Sequence, residues 1–284
     1  MTYLEKLTHI IEIALIEDHS LKDATSNCTL DDDYKVDFTI NARQNIILSG
    51  IDCISICFKK LKNSHKFANS TISYQIHAKD GDFIGEGKSI LTGNGSAKLI
   101  FAAERVILNC LQHMSGISTL THQFINTLGD DNIKILDTRK TTIGLREIEK
   151  YAVRYGGGFN HRNDLSDAIL IKDNHIAANS DIATTVTKAI NNNVDNLEII
   201  VECDNLDQVK TISDLAIDRI MLDNMNPQQI AQAAFIIDNK VKIEISGGVN
   251  LDNISSFRGL DVDCISVGAI THSAKAVDIG LDIL

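Results

Sequence analysis

The chain has 284 residues, 44% of them hydrophobic, and a formal net charge of -11. That length and apolar content exclude disorder and suffice for one large α/β barrel or two domains of unequal size. The acidic balance argues against general affinity for nucleic acid or an anionic membrane, so an anionic ligand has to meet a local basic site.

The opening stretch MTYLEKLTHIIEIALIED places Leu4, Leu7, Ile11 and Leu15 at helical spacing, which predicts an amphipathic helix that docks on the rest of the fold. Glu5, Lys6, Glu12 and Glu17 interrupt its apolar residues, so it lacks the h-region of a signal peptide. No run approaches the ~18 apolar residues of a membrane span, and the expected compartment is the cytoplasm. There, Asn-x-Ser/Thr matches at Asn27, Asn69 and Asn94 are chance, and six scattered cysteines (Cys28, Cys53, Cys57, Cys110, Cys203, Cys264) read as reduced packing residues. No C-x-x-C pair or Cys/His zinc spacing occurs among them.

From Val36 to about Gly95 the pattern changes to short β-rich pieces, VDFTINAR, NIILSG, TISYQIHAKDGDFIGEG and SILTGNG, broken by Gly and Asn turns. They predict a small sheet domain. GDFIGEGKS resembles a P-loop, but the position that must be the first glycine is Asp82, which rejects that reading. From Ala97 to Leu128, the spacing of Ile100, Val106, Leu108, Leu111 and Met114 predicts long helices joining two domains. Glu104 and Arg105 interrupt that face and, taken alone, read as a solvated or paired ion couple.

Beyond Asp130 the text becomes rhythmic. IKILDT (133–138), DAILIKD (167–173), LEIIVECD (197–204), DRIMLDN (218–224), VKIEISGG (241–248) and DCISVGA (263–269) alternate with segments long enough for crossover helices. Apolar strands alternating with helices mean a parallel sheet, and without a Rossmann fingerprint they favour a barrel over an open sheet.

In such barrels the chemistry sits where strands end. Those positions are Thr138, Arg139 and Lys140, then Lys172, Glu202 and Asp223, then Ser246, Gly247 and Gly248, then Gly268 and Ala269. Glycines ending the last two strands suit a phosphate cradle, although glycine is also ordinary turn chemistry. Glu202 and Asp223 suit Mg²⁺ held partly through water, or two acceptors for sugar hydroxyls, or acids that balance Lys172 and Arg139. Between Arg139 and His175 seven Lys or Arg residues face five Asp or Glu residues, a local reversal of the chain's charge. Arg146, Lys150 and Arg154 fit a solvated helix face salt-bridged to Glu147 and Glu149, but Arg139, Lys140, His161, Arg162 and Lys172 have no such explanation. Arg recognises planar anions bidentately and Lys acts as a point charge, so the set fits a phosphorylated, hydroxylated and polyanionic substrate pair.

The blocks LDTRKTTIGLREIEKYAVRYGGGFNHR, LIKDNH, LDN, SGG and VGAITHS resemble quinolinate phosphoribosyltransferase, the carboxylating nicotinate-nucleotide pyrophosphorylase family. The likeness runs from ALIED through AERVILNCLQHMSGIST to THSAKAVDIGLDI. It implies an N-terminal α/β sandwich with a linking helix over residues 1–111 and a C-terminal incomplete, TIM-like α/β barrel over residues 112–284, the last residues packing back on the first domain. It also implies a homodimer, Mg²⁺ without an organic cofactor, and transfer of phosphoribosyl from 5-phosphoribosyl 1-diphosphate to quinolinate with release of CO₂ in NAD biosynthesis.

Carried over residue by residue, Arg105 (from the partner subunit), Thr138, Arg139, His161, Arg162 and Lys172 match the quinolinate pocket. Lys140, Glu202, Asp223, Ser246, Gly247, Gly248, Val267, Gly268 and Ala269 match positions for the phosphoribosyl donor. Glu202 and Asp223 also match the metal site, and with Lys140 and Lys172 they form the expected catalytic set. The resemblance replaces the solvated reading of Glu104 and Arg105. Ile143, Phe159 and Ile200 stand where the family pattern has Pro, His and Glu, departures that touch loop rigidity and hydrogen bonding behind the site. Two rivals have distinct signatures: a barrel aldolase or decarboxylase would use Lys172 as an imine former without phosphoribosyl diphosphate, and a phosphometabolite sensor would release no pyrophosphate.

Overall fold

The computed structural model describes residues 2–284 and divides into two compact units. The first holds the chain up to His122, Thr142–Gly157 and Ala274–Leu284, and the second holds Gln123–Thr141 and Gly158–Ser273. The two units interleave along the chain. The physical reason lies at Gly156, where a Cβ would stand 2.5 Å from the Ser118 carbonyl oxygen, while the Ser118 hydroxyl donates to Ala152 O at 2.7 Å. These close approaches assign the Thr142–Gly157 segment to the first unit.

In that unit α1 (Tyr3–Glu17) begins with a reciprocal capping box between Thr2 and Glu5 and buries Leu7 and Ile11. After α2 (Ala24–Thr29) come β1 (Lys35–Ala42), β2 (Ile46–Ile47), α3 (Asp52–Lys62), β3 (Ile72–Ile76), β4 (Phe83–Ile84), β5 (Ser89–Ser96) and α4, one helix from Ala97 to Leu128. The chain's last strand, β12 (Ile279–Ile283), pairs antiparallel with β1, giving a four-stranded sheet in the order β12-β1-β5-β3. Helix α3 is the element the β-rich reading of Val36–Gly95 passes over. Its buried Cys53, Ile54, Cys57, Phe58 and Leu61 follow helical spacing. Phe58 seats it on the sheet, with its ring centroid 6.5 Å from that of Phe38 and 5.5 Å from that of Tyr74. Across the sheet Phe38 faces Gly93, whose Cβ, if it had one, would lie 2.6 Å from the phenyl ring.

Helix α5 (Arg146–Tyr155) also belongs to the first unit. The solvated face expected for Arg146, Lys150 and Arg154 does not form as such, because Lys150 is buried together with Glu149. Burial alone would raise the Glu149 carboxyl. Hydrogen bonds from His113 Nε2 and from the Thr142 N–H, each 3.0 Å, hold it below the usual carboxylate range instead.

The second unit contains β6 (Lys134–Leu136), β7 (Ala168–Ile171), α6 (Asp173–Ala177), α7 (Ile182–Asn192), β8 (Glu198–Cys203), α8 (Leu206–Ile212), β9 (Arg219–Asp223), α9 (Pro227–Ile237), β10 (Lys242–Ser246), β11 (Cys264–Ser266) and α10 (Ala269–His272). The six strands are all parallel, in the order β6-β11-β10-β9-β8-β7. The consecutive strands β6 and β7 therefore occupy opposite edges. An arm at Phe159 extends the β6 edge, its N–H donating to Ile135 O at 2.8 Å and its carbonyl accepting the Asp137 N–H at 3.0 Å. Among the described residues no strand ladder joins that arm to β7, so the barrel is incomplete.

Period-two alternation sorts the strand residues. Ile199, Val201, Ile220, Leu222, Ile243, Ile245 and Ile265 are buried and alternate with the set that meets in the interior. That set includes an apolar layer of Ala168, Leu170, Ile200 and Met221, and, by the same alternation, the ionisable residues Glu202, Asp223 and Glu244. Helices α7, α8 and α9 bury Val186, Val209, Ile212, Ile230, Ala233 and Ile237, as a parallel sheet covered on its outer face requires.

Candidate active site

The carboxyl ends of the six strands bring one set of ionisable residues to the mouth of the second unit. Glu202 on β8 lies opposite Met221 on β9, so Asp223, two residues further along β9, faces the same way. Glu202 is 8% exposed, and its carboxylate pairs with the Lys172 ammonium. The Lys172 N–H donates to His175 Nδ1 at 3.0 Å, fixing the turn into α6.

The cationic wall is built on Asp137, which is fully buried at the end of β6. One of its carboxylate oxygens accepts the His161 N–H at 2.9 Å and the other accepts the Asn160 side-chain amide. This clasp ties the residues after the arm to the Thr138–Lys140 turn, where the Lys140 N–H donates to the Thr138 hydroxyl at 3.0 Å. Burial, and next the nearby Arg139 guanidinium, hold Arg162 below the ordinary arginine range. Two guanidinium groups held close favour an anion between them. Arg162 also donates from Nη1 to Ala168 O at 2.9 Å, reaching across the open side of the barrel to β7.

His161, expected among the acceptor contacts, has protein groups beside both ring nitrogens. Its Nδ1 accepts the Arg162 N–H at 2.8 Å, while Nε2 faces Glu244 Oε2 at 3.3 Å.

The glycine loops close the other side. Gly247 and Gly248 have φ of +85° and +63°, the left-handed region that side chains disfavour. A Cβ on Gly247 would lie 2.3 Å from Asn224 Oδ1. Asn224 in turn donates from Nδ2 to Asp223 Oδ2 at 2.6 Å and from its N–H to Ser246 O at 2.9 Å, linking the acid to the loop. At Gly268 a Cβ would stand 3.1 Å from Lys140 Cδ and 3.2 Å from the His272 ring, so both side chains lean over this loop. The Thr271 hydroxyl, donating to Lys140 O at 2.8 Å, holds that turn. Val267, expected among the phosphate contacts, has a buried side chain, and its N–H donates to Leu136 O at 2.9 Å.

Arg105 belongs to the first unit. It is exposed on α4 and lines a groove with Ile10, Ile11, Asn109 and His113. Burial raises the carboxyl of the neighbouring Glu104, against the pull of Arg105.

Sequence reasoning missed Asp137, Asn224, His272 and a chain of Glu198, Arg219 and the buried Glu244. Strand parity alone marks the last three, since each alternates into the interior with a residue already singled out at a strand end. Among the described residues no group of three or more His, Cys, Asp or Glu side chains could hold a metal ion. Glu202 and Asp223 form a two-carboxylate oxygen set of the kind that Mg²⁺ shares with substrate phosphates and water. Among the same residues no helix is long and apolar enough to cross a membrane.

Comparison with known proteins agrees with this arrangement. Residues 23–115 match the family model of the quinolinate phosphoribosyl transferase N-terminal domain, and residues 117–282 match that of its C-terminal domain. A probable carboxylating nicotinate-nucleotide pyrophosphorylase of Bacillus subtilis is 41% identical over 223 residues, covering 78% of this chain and 77% of the relative. One from Methanocaldococcus jannaschii is 36% identical over 286 residues, covering 97% and 96%. The crystal structure of NadC from Streptococcus pyogenes superposes with a TM-score of 0.91 at 39% identity, covering 100% of this chain and 99% of that one.

Proposed function

The chain belongs to the quinolinate phosphoribosyl transferase family, and from that premise we infer that it transfers phosphoribosyl from 5-phosphoribosyl 1-diphosphate to quinolinate. The products are nicotinate mononucleotide, pyrophosphate and CO₂, and the reaction serves NAD biosynthesis. The observation that carries this reading is the division of the barrel mouth. Guanidinium and ammonium groups cluster after β6 and β7, carboxylates end β8 and β9, and glycine loops follow β10 and β11.

Each sector suits one part of the substrate pair. Arg139 and Arg162, with Thr138 and Lys172 beside them, suit the two quinolinate carboxylates. Glu202 and Asp223 suit the ribose hydroxyls, and Ser246 to Gly248 with Gly268 and Ala269 suit the donor's phosphate. Lys140, leaning over Gly268, suits the phosphates of the donor.

Loss of pyrophosphate from the anomeric carbon generates positive charge on the ribose and negative charge on the leaving group. Glu202 and Asp223 stabilise the first, Lys140 and its neighbours the second. The same two acids fit Mg²⁺, which when bound neutralises diphosphate charge. After the ring nitrogen is ribosylated it is a cationic electron sink; the carboxylate beside it leaves as CO₂, its bonding electrons stay on the ring carbon, and that carbon takes a proton from water. The ion pair of Lys172 with Glu202 supports an anion-binding lysine over an imine-forming one, which requires a neutral amine. The test follows products: quinolinate, phosphoribosyl diphosphate and Mg²⁺ should yield nicotinate mononucleotide, pyrophosphate and CO₂ in equal amounts. Pyrophosphate without CO₂ would remove quinolinate as acceptor.

The working form we propose is a homodimer in which Arg105 serves the partner's site. Its exposure on α4, together with Ile13 and Ile16 exposed on α1 at 50% and 74%, supports that assignment. Arg105→Ala and Asp223→Ala proteins, each inactive alone, should recover about a quarter of wild-type activity when refolded together, because each mixed dimer regains one intact site. No recovery in a mixture that forms mixed dimers would contradict the shared site.

A further inference from the structure

We propose that Glu244 is a positioning residue for the acceptor site: from inside the barrel it fixes the orientation and tautomer of His161, and through His161 it fixes the backbone of Arg162. This rests on the quinolinate reading above and adds to it a residue that touches no substrate.

Glu244 stands in the middle of β10 and is 0% exposed. A carboxylate in that position needs partners of opposite charge or strong donors. Arg219 Nη1 donates to Glu244 Oε2 at 3.0 Å, and Arg219 Nη2 donates to Glu198 Oε1 at 2.5 Å. Glu198 and Glu244 thus share one guanidinium, and the His161 imidazole stands on the same Glu244 oxygen, with Nε2 at 3.3 Å from Oε2. The arm that carries His161 lies beyond β6, with β6 and β11 between it and β10. The imidazole therefore reaches across the barrel interior to Glu244. Its side chain is 7% exposed.

The ring's own bonds define its state. Nδ1 accepts the Arg162 N–H at 2.8 Å, so the proton of the neutral ring resides on Nε2, which faces Glu244 Oε2 at 3.3 Å without an aligned hydrogen bond. A ring turned over would set an Nδ1 proton against the Arg162 N–H and leave Glu244 facing a lone pair. The Glu244 carboxylate makes that exchange unfavourable, and the Arg162 N–H stays where Nδ1 holds it. Arg162 then presents its guanidinium beside Arg139 while bonding Ala168 O. Burial would raise the Glu244 carboxyl, yet His161, Ser266 and Arg219 hold it below its usual range, so it keeps its charge in this role. The order Glu198, Arg219, Glu244, His161, Arg162 thus runs from the amino end of the barrel to the acceptor site.

Two experiments test this. In ¹⁵N-histidine spectra of the wild type, with His161 assigned by its absence in a His161→Gln protein, the ring should be locked with the proton on Nε2. Addition of quinolinate should leave that tautomer unchanged. A proton on Nδ1, or exchange between tautomers, overturns the proposal whether or not any variant folds. In Glu244→Gln, which keeps shape and loses charge, KM for quinolinate should rise by about 10- to 100-fold while KM for phosphoribosyl diphosphate changes less than about twofold. A packing role alone would lower the active fraction and leave both KM values unchanged, and that result counts against positioning. Failure of the wild type to turn over quinolinate would defeat the functional reading itself, and the tautomer measurement would still stand by its own result.

Discussion

Asp223→Asn should leave the fold and quinolinate binding intact while lowering kcat by about 10²- to 10³-fold. The residue ends β9 facing the same mouth as Glu202. Its hydrogen-bond partner, the Asn224 amide at 2.6 Å, can still donate to an asparagine carbonyl. What the variant loses is negative charge where the ribose becomes positive, and that interaction exists only in the transition state, so the loss falls on kcat. Steady-state kinetics together with calorimetric quinolinate binding measure both halves. An unchanged kcat would remove Asp223 from the chemistry, and lost quinolinate binding would assign it to the acceptor.

Arg162→Met carries the second large effect, on the other substrate. Hydrogen bonds to a charged group are worth about 1.5–3 kcal/mol, so kcat/KM for quinolinate should fall roughly 10- to 150-fold. Methionine keeps most of the apolar stem, which limits the loss to the guanidinium and its bond to Ala168 O. The neighbouring Arg139 works in the opposite direction in the free enzyme, because removing one of two like charges relieves repulsion. The variant should therefore retain its thermal stability more fully than its acceptor affinity. A KM for phosphoribosyl diphosphate that rises as much as the KM for quinolinate would contradict the division of the mouth into acceptor and donor sectors.

Much of this arrangement is written in local sequence. Short apolar runs bounded by polar segments mark all six barrel strands, and the residues that end them, from Thr138 to Ala269, converge because parallel strands end on one face. Other features depend on partners distant in the chain. Helix α3 hides among β-rich neighbours although its Cys53, Cys57 and Leu61 keep helical spacing. The interleaving of the units depends on Gly156 meeting Ser118, which no local pattern records. The direction of the His161 ring is set by Glu244, 83 residues later in the chain, a partner that GGGFNHR alone does not reveal. Ile200, a departure from the family pattern, fits a layer already apolar through Ala168, Leu170 and Met221, where a glutamate would need a buried partner.

The central claim is that the cationic wall around Arg139 and Arg162 selects an acceptor with two carboxylates. Its most direct test compares kcat/KM for quinolinate and for nicotinate on the purified protein, with phosphoribosyl diphosphate and Mg²⁺ saturating. Quinolinate should be preferred by at least about 10²-fold, since nicotinate leaves guanidinium donors without a carboxylate. Equal or faster turnover of nicotinate would contradict the account.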